Sequence, residues 1–504
     1  MQTKLLQTKR VLRTALFFLL MSIFGVGKMD AQEFTVGDLN YTVNPDGTTV
    51  TVTSHVNGTS ASGTLDIPET VTYSGMSYTV SSIGDYAFDG CSNLTGSITI
   101  PNSVVTIGHY SFYGCRGFNG NLTIPIFVTS IGAAAFANCE NLTSIHFNAF
   151  HCESMGYVEN EHYWYYVFYN NNSLNEIIIG DDVTSIPIYA FANHGSRNCQ
   201  LVLGNAVETI DESAFYNGGD ENHPGLVGEL NLPNSVIEIN HSAFYGCRGL
   251  TGSLTIPNSV TTIGRQAFRG CSGFTGDLTI GNSVTTIDHM AFYGCSGFMG
   301  TLTIGNSVDS IGNWAFSSSS FTGSLTIPNS VTTIGQAAFF DCSGFTGSLT
   351  IGKSVIFIRE WCFNNCSGLT SINVLSEVPP TFSDVIFDNV PCTSLTVPCE
   401  CKSVYEASDW HDYFPTIIED CTGLSEDGED FIKAYPNPTN GQINIEAEGL
   451  KHITISNLLG QTIFESKACG DEFTYDLGKH GTGLYLIRIK TANGIAVKKV
   501  SVAR

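Results

Sequence analysis

Sixteen cysteines and twelve histidines, set among 46 carboxylates, are the side chains of this chain that could cross-link, hold a metal or act as nucleophiles. Half of the cysteines obey one rule. Cys91, Cys115, Cys139, Cys247, Cys271, Cys295, Cys342 and Cys366 each stand three residues after a phenylalanine. A small, largely apolar side chain at one fixed place in a recurring phrase reads as a buried ladder of thiols. Ser319 at the same place in another copy says that a small residue suffices. Cys392, Cys399, Cys401 and Cys421 break the rule and are the better disulfide candidates, with their pairing open. No cysteine spacing forms a zinc site. His162, His194, His223 and His241 have carboxylates nearby, but no spacing holds them on one face as ligands. No GxSxG, HExxH or phosphate-cradling glycine loop occurs. The residues thus assign no catalytic group, no metal and no cofactor, and the expectation is a protein that is not an enzyme.

The elements that must position these residues are copies of one phrase. It reads LTIPNSVTTIGRQAFRGCSGFTGD from Leu254, LTIGNSVTTIDHMAFYGCSGFMGT from Leu278 and LTIPNSVTTIGQAAFFDCSGFTGS from Leu325. A period of about 24 residues means a solenoid, in which one coil cannot bury its apolar face and must stack on its neighbours. Leu-x-Ile puts two apolar side chains on one face of a short strand, as at Leu254 and Ile256, with Thr255 outward. Pro257-Asn258 turns the chain, Val260 and Ile263 return inward, and Ala267-Phe268 supplies the bulkiest core element. The register phenylalanines run from Phe88 to Phe387 and predict about thirteen coils. At roughly 4.8 Å per stacked strand they would form a rod on the order of 60 Å long.

The phrase IPNSVTTIGxxAFxGCSGF resembles the bacterial leucine-rich repeats of the BspA-like class, over about residues 63–414. That resemblance implies a β-rich solenoid of leucine-rich repeats, right-handed, with short strands stacked into a sheet. It also implies surface proteins of Bacteroidetes that adhere to host proteins or other cells. A different text follows: AYPNPTNGQINIEAEG, ITISNLLGQTIFE and GTGLYLIRIKTANGIAVKKVSV, alternating strands with Asn-Gly turns that predict a small antiparallel β-sandwich. Tyr435, Pro436, Asn437, Pro438, Asn440 and Gly441 open it, Asn457 to Gly460 occupy its middle, and Gly483-Leu484-Tyr485 with Lys498-Lys499 close it. Together they resemble the C-terminal sorting domain of the type IX secretion route. The resemblance implies export across the outer membrane by that machinery, then release or surface attachment.

The N-terminus agrees with export. Lys4, Lys9, Arg10 and Arg13 precede an apolar run ending near Val26, with Ala31 suited to cleavage. That run is too short to span a membrane comfortably, and no other stretch approaches the needed length. The expected layout is a signal peptide over 1–31, an N-terminal β-hairpin cap over 32–62 and the solenoid with its terminal cap over 63–418. An acidic linker over 419–431 and the sorting domain over 432–504 complete it. Tyr405, Trp410 and Phe414 are expected to close the apolar end of the solenoid. A net charge of −24 argues against nucleic acid and anionic membranes, which demand clustered Lys and Arg.

Binding residues are sought where coils differ. The two positions before Ala-Phe vary freely while the framework hardly moves, which marks them as exposed. Tyr110, Met290, Trp314 and Trp361 stand there and suggest a contact strip. The period also breaks twice, between Phe136 and Phe168 and between Phe215 and Phe244, and insertions in solenoids often line the binding face. The first carries an aromatic cluster, Tyr157, His162, Tyr163, Trp164 and Tyr165. The reading is non-catalytic adhesion to host extracellular proteins or other cell surfaces by an exported protein. The alternatives are a glycan-capturing module for nutrient uptake, using Trp164 and its tyrosine neighbours, and a passive surface coat.

Overall fold

The computed structural model describes residues 32–156, 166–218, 223–421, 432–457, 461–491 and 495–503. The expected signal peptide, residues 422–431 of the expected linker, and Tyr157, His162, Tyr163, Trp164 and Tyr165 of the first insertion lie outside them. Two compact units emerge, one of residues up to 395 with 412–415, the other of 396–411 with 416 onward.

The first unit is a β-solenoid, and each coil contributes three rails of backbone hydrogen bonds. The Leu-x-Ile segments form the first. Leu254–Ile256 pairs in parallel with Leu278–Ile280, residue for residue, so Leu lies on Leu, Thr on Thr and Ile on Ile. The Leu and Ile side chains are buried and the Thr between them is exposed, the alternation of a strand covered on one face. The Thr-Ile pairs form the second rail. Nine of these short strands, from Ser185–Ile186 to Thr381–Phe382, pair without interruption, always inward Ile on inward apolar residue. A separate run, Met76–Ile83, Thr106–Ile107, Ser130–Ile131 and Ser154–Met155, precedes them, and the first insertion falls between the two.

The third rail is the phenylalanine turn. Met290, Phe292 and Gly294 donate their N–H groups to Asn313, Ala315 and Ser317 of the next coil at 2.8–2.9 Å. Inside it the register phenylalanines stack into one column from Phe88 to Phe387, with neighbouring ring centroids 5.0–5.6 Å apart. Coils approach so closely that a Cβ on Gly297 would stand 2.1 Å from the Ser272 carbonyl oxygen, which is why glycine recurs there.

At the N-terminal end Glu33–Val36, Leu39–Val43 and Thr49–His55 form an antiparallel meander, and Thr49–His55 then pairs in parallel with Met76–Ile83. At the other end Tyr413 and Phe414 stand edge-on against Phe387, the last ring of the column. In the second unit Tyr405 and Trp410 pack together, both buried.

The C-terminal strands Ile432–Tyr435, Gln442–Asn457, Thr462–Asp476, Gly483–Thr491 and Ile495–Val502 are antiparallel throughout and join in one sheet. Ile443, Ile445, Ile453, Ile455, Ile487 and Ile489 fill its core. The sheet curls because the segment after Ile432–Tyr435 returns to the last strand: Thr439 bridges Val502 in parallel.

Candidate binding surface

The thiol ladder is buried, and its chemistry is hydrogen bonding. Cys115, Cys139, Cys247, Cys271, Cys295, Cys342 and Cys366 each donate to the carbonyl of the register phenylalanine one coil back, at 3.0–3.2 Å. Ser319 makes the same bond to Phe292 at 3.2 Å, and Asn171 to Phe136 at 3.1 Å. In these nine coils the place thus holds a hydrogen-bond donor, whereas Gly218 after Phe215 and Val390 after Phe387 bring no side-chain donor. Burial pushes the thiols of Cys139 and Cys295 up to about 12, so the ladder holds no nucleophile at neutral pH.

Of the four disulfide candidates, Cys399 and Cys421 are bonded to each other, while Cys392 and Cys401 are in no disulfide. Among the described residues Cys399, Glu419 and Cys421 bring their ligand atoms within 4.8 Å of one another. The two sulfurs are already bonded to each other, so this set is no thiolate site. Two of the candidate histidines approach each other, His223 lying close enough to His194 to lower its imidazole. His194 is fully buried at the ladder position after Phe191. His241 faces Glu212 at 3.9 Å on the surface, and His162 lies outside the described residues.

The four strip residues share one backbone position. Tyr110, Met290, Trp314 and Trp361 have φ between 52° and 60°, as do their counterparts Tyr86, Tyr189 and Gln266. A left-handed φ costs a non-glycine residue roughly 1–2 kcal/mol, and the N–H bond to the next coil holds it in place. That bond uses the main chain alone, so any side chain can stand there. Trp361 is 41 % exposed, whereas Tyr110, Met290 and Trp314 are half-buried.

They are half-buried because of a second column, the residue after each register phenylalanine, which sequence reasoning missed. Tyr110 meets Tyr113 edge-on and stacks on Tyr86 at 5.2 Å. Tyr216 stacks on Tyr245 at 4.9 Å, the Arg269 guanidinium lies over both Tyr245 and Tyr293, and Trp314 packs between Tyr293 and Phe340. The two columns make one aromatic edge along the turns. Tyr113, Tyr216, Tyr245, Tyr293 and Phe340 were visible as a column of the repeat, but Asp89, Ala137, Ala192 and Ser317 interrupt it.

A cleft of about 540 Å³ opens on the short-strand face of the first coils, lined among others by Ser82, Thr106, Ser130, Asp85 and His109. Its floor is glycine for structural reasons: a Cβ on Gly108 would stand 2.5 Å from the Asp85 nitrogen.

In the C-terminal domain Asn437 locks the opening motif to the last strand, donating to the Lys499 carbonyl at 2.7 Å and accepting from Ser501 N–H at 3.0 Å. Gly441, at φ 144°, lies so near Gly478 that a Cβ would come within 3.2 Å of its Cα. Tyr435 is 41 % exposed and its hydroxyl donates to Glu446. Pro436 and Pro438 follow cis peptide bonds, and Asn440 is exposed. Residues 458–460 of the middle motif lie outside the described residues. No helix among the described residues is long and apolar enough to cross a membrane.

Residues 70–158, 163–222, 226–345 and 298–408 match the BspA type leucine rich repeat region, in six copies. Residues 433–503 match the secretion system C-terminal sorting domain. No curated protein matches the chain. Similar solved structures include a leucine rich cell surface protein from Faecalibacterium prausnitzii, 24% identical over 69% of this chain and 96% of that one, with a TM-score of 0.36. A leucine-rich repeat protein from Bacteroides ovatus is 20% identical over 77% of this chain and 99% of its own, with a TM-score of 0.39. The pneumococcal vaccine antigen PcpA is 17% identical over 78% of this chain and 100% of its own, with a TM-score of 0.37. The sorting domain implies interaction with the type IX secretion machinery and places the chain at the cell surface. The chain belongs to the BspA-type leucine-rich-repeat family, as a secreted, surface-attached protein-interaction module.

Proposed function

We propose that the chain works by non-catalytic adhesion to proteins on host or neighbouring microbial surfaces, through the aromatic edge of its phenylalanine turns. One observation carries this reading: Tyr110, Met290, Trp314 and Trp361 occupy a backbone position whose bonds do not involve the side chain. Substitution there leaves the main-chain bonds of the coil in place, and aromatic side chains dominate interface energetics. Contacts spaced by the coil repeat on a rigid scaffold add up without ordering loops, which lowers the entropic cost of binding.

The test compares the exported protein with a Tyr110→Ala/Trp314→Ala/Trp361→Ala variant on paired arrays of extracellular proteins and glycans. Saturable capture of a few proteins, weakened about tenfold or more in the variant at unchanged melting temperature, is the expected result. Capture of oligosaccharides alone would replace protein adhesion with glycan capture. Equal capture by both forms would move the binding surface off this edge.

A further inference from the structure

Basic side chains are scarce in this chain, 22 Lys and Arg against 46 Asp and Glu, so a cluster of them without carboxylate partners stands out. Arg265, Arg269 and His289 sit on two successive phenylalanine turns, around Phe268 and just before Phe292. Neither Arg265 nor Arg269 forms an ion pair with a described residue. Asp288, the acid next to His289, turns its Oδ1 to the His289 N–H at 2.5 Å. Burial, and next the Arg265 guanidinium, hold the His289 imidazole below its usual range, although Asp288 opposes them.

Arg269 is held in a fixed pose. Its guanidinium carbon lies 5.4 Å from the Tyr245 ring centroid and 5.2 Å from that of Tyr293, and Nη1 meets the Met290 sulfur at 3.6 Å. With two rings and a sulfur holding the group, its remaining N–H donors are its route to a ligand, and a guanidinium edge matches a carboxylate with two parallel bonds. The ring faces are themselves taken. Tyr245 stacks on Tyr216 at 4.9 Å, and Trp314 closes on Tyr293 at 6.3 Å. A sugar ring therefore finds no open aromatic platform here, whereas an acidic peptide finds guanidinium edges, a tyrosine rim and a thioether.

We propose that Arg265 and Arg269, flanked by Tyr245, Met290 and Tyr293, form a docking site for a carboxylate-rich segment of a partner protein. This rests on the reading of the turn edge as the partner-binding surface and supplies the charge chemistry of the partner. Arg269 takes one carboxylate through its fork, and the exposed Arg265 takes a second from the adjoining corner of the same turn.

The full-length protein is titrated with a fluorescein-labelled peptide of alternating Glu and Ser, and with its Gln/Ser counterpart, by anisotropy at low and high salt. The expected result is saturable, salt-weakened binding of the Glu peptide only. Arg269→Lys, which keeps the charge and loses the fork, weakens it about tenfold, and Arg265→Ala/Arg269→Ala abolishes it. Arg359→Ala, on a distant coil, leaves it unchanged, with melting temperature checked for every variant. Equal affinity for the Gln peptide, no binding of either peptide, or indifference to the double substitution overturns the proposal. Arginine-dependent binding of heparin without the peptide also overturns it, and assigns the cluster to anionic polysaccharide. Partner capture lost on Trp314→Ala but kept in the arginine variants would remove this site alone. Arginine-dependent peptide binding with silence on the protein array would instead remove the adhesion reading.

Discussion

Each ladder cysteine carries a bond that sequence alone does not reveal. Cys271 donates to the Phe244 carbonyl at 3.1 Å, a buried oxygen that also accepts from the Cys247 N–H at 3.2 Å, so losing the thiol bond costs about 0.5–1.5 kcal/mol. Cys271→Ser, which keeps a donor as Ser319 does, should therefore cost less than Cys271→Val, which keeps the volume and loses the bond. Urea unfolding of the two variants checks this, and an equal loss would reduce the position to packing. His194 occupies the same place after Phe191, and its imidazole is lowered to about 4, chiefly by burial and next by His223. In the unfolded chain it titrates near its ordinary value of about 6.5. The unfolded state thus binds the extra proton first, and the stability present above about 6.5 is lost as pH falls to about 4, by about 3 kcal/mol in all. His194→Asn, copying Asn171 of the preceding coil, should flatten that part of the stability profile between those pH values. A profile of unchanged slope would assign the acid sensitivity to other groups.

The phenylalanine turn combines two requirements in four residues. Its inner side chain is a rung of the ring column, and its outer side chain stands on a left-handed residue tied by main-chain bonds. Phe292→Ala removes a ring stacked on Phe268 and Phe316 at 5.2 and 5.4 Å and should cost roughly 3–5 kcal/mol. Trp361→Ala, at a 41 % exposed position, should stay within about 0.5 kcal/mol of the parent. Denaturant midpoints of the pair measure the contrast directly. The inward half of this element was legible because Phe, Cys and Ile recur with the period. The outward half was legible only in part. Variation before Ala-Phe pointed to Tyr110, Met290, Trp314 and Trp361. Their partners Tyr113, Tyr293 and Phe340 went unread because other coils carry Asp, Ala or Ser in that column.

At the scale of the molecule, a solenoid holds its buried groups only as long as its coils stay stacked, since each coil contacts only its neighbours. The free cysteines report on that stacking. Cys392 is partly exposed and the ladder cysteines are buried, so iodoacetamide should label Cys392 before any ladder thiol. Ladder thiols should react only at denaturant concentrations that also abolish the far-ultraviolet signal. Native labelling of Cys271 or Cys295 would mean that coils separate well below global unfolding. Cys399 and Cys421 should take label only after reduction, because they are bonded to each other.

The sequence by itself determined the period, the alternation of inward and outward residues and the change from solenoid to antiparallel sheet. Each depends on patterns within one coil or one strand, and hydrophobic burial enforces them wherever the pattern recurs. Tertiary structure decided everything that joins residues about a coil apart. The thiol-to-carbonyl bonds, the Arg269 guanidinium between Tyr245 and Tyr293, and the choice of Cys421 as partner of Cys399 all arise between segments that stacking or chain return brings together. Such pairings are set by the register and distance of neighbouring backbones, which no single copy of the repeat contains.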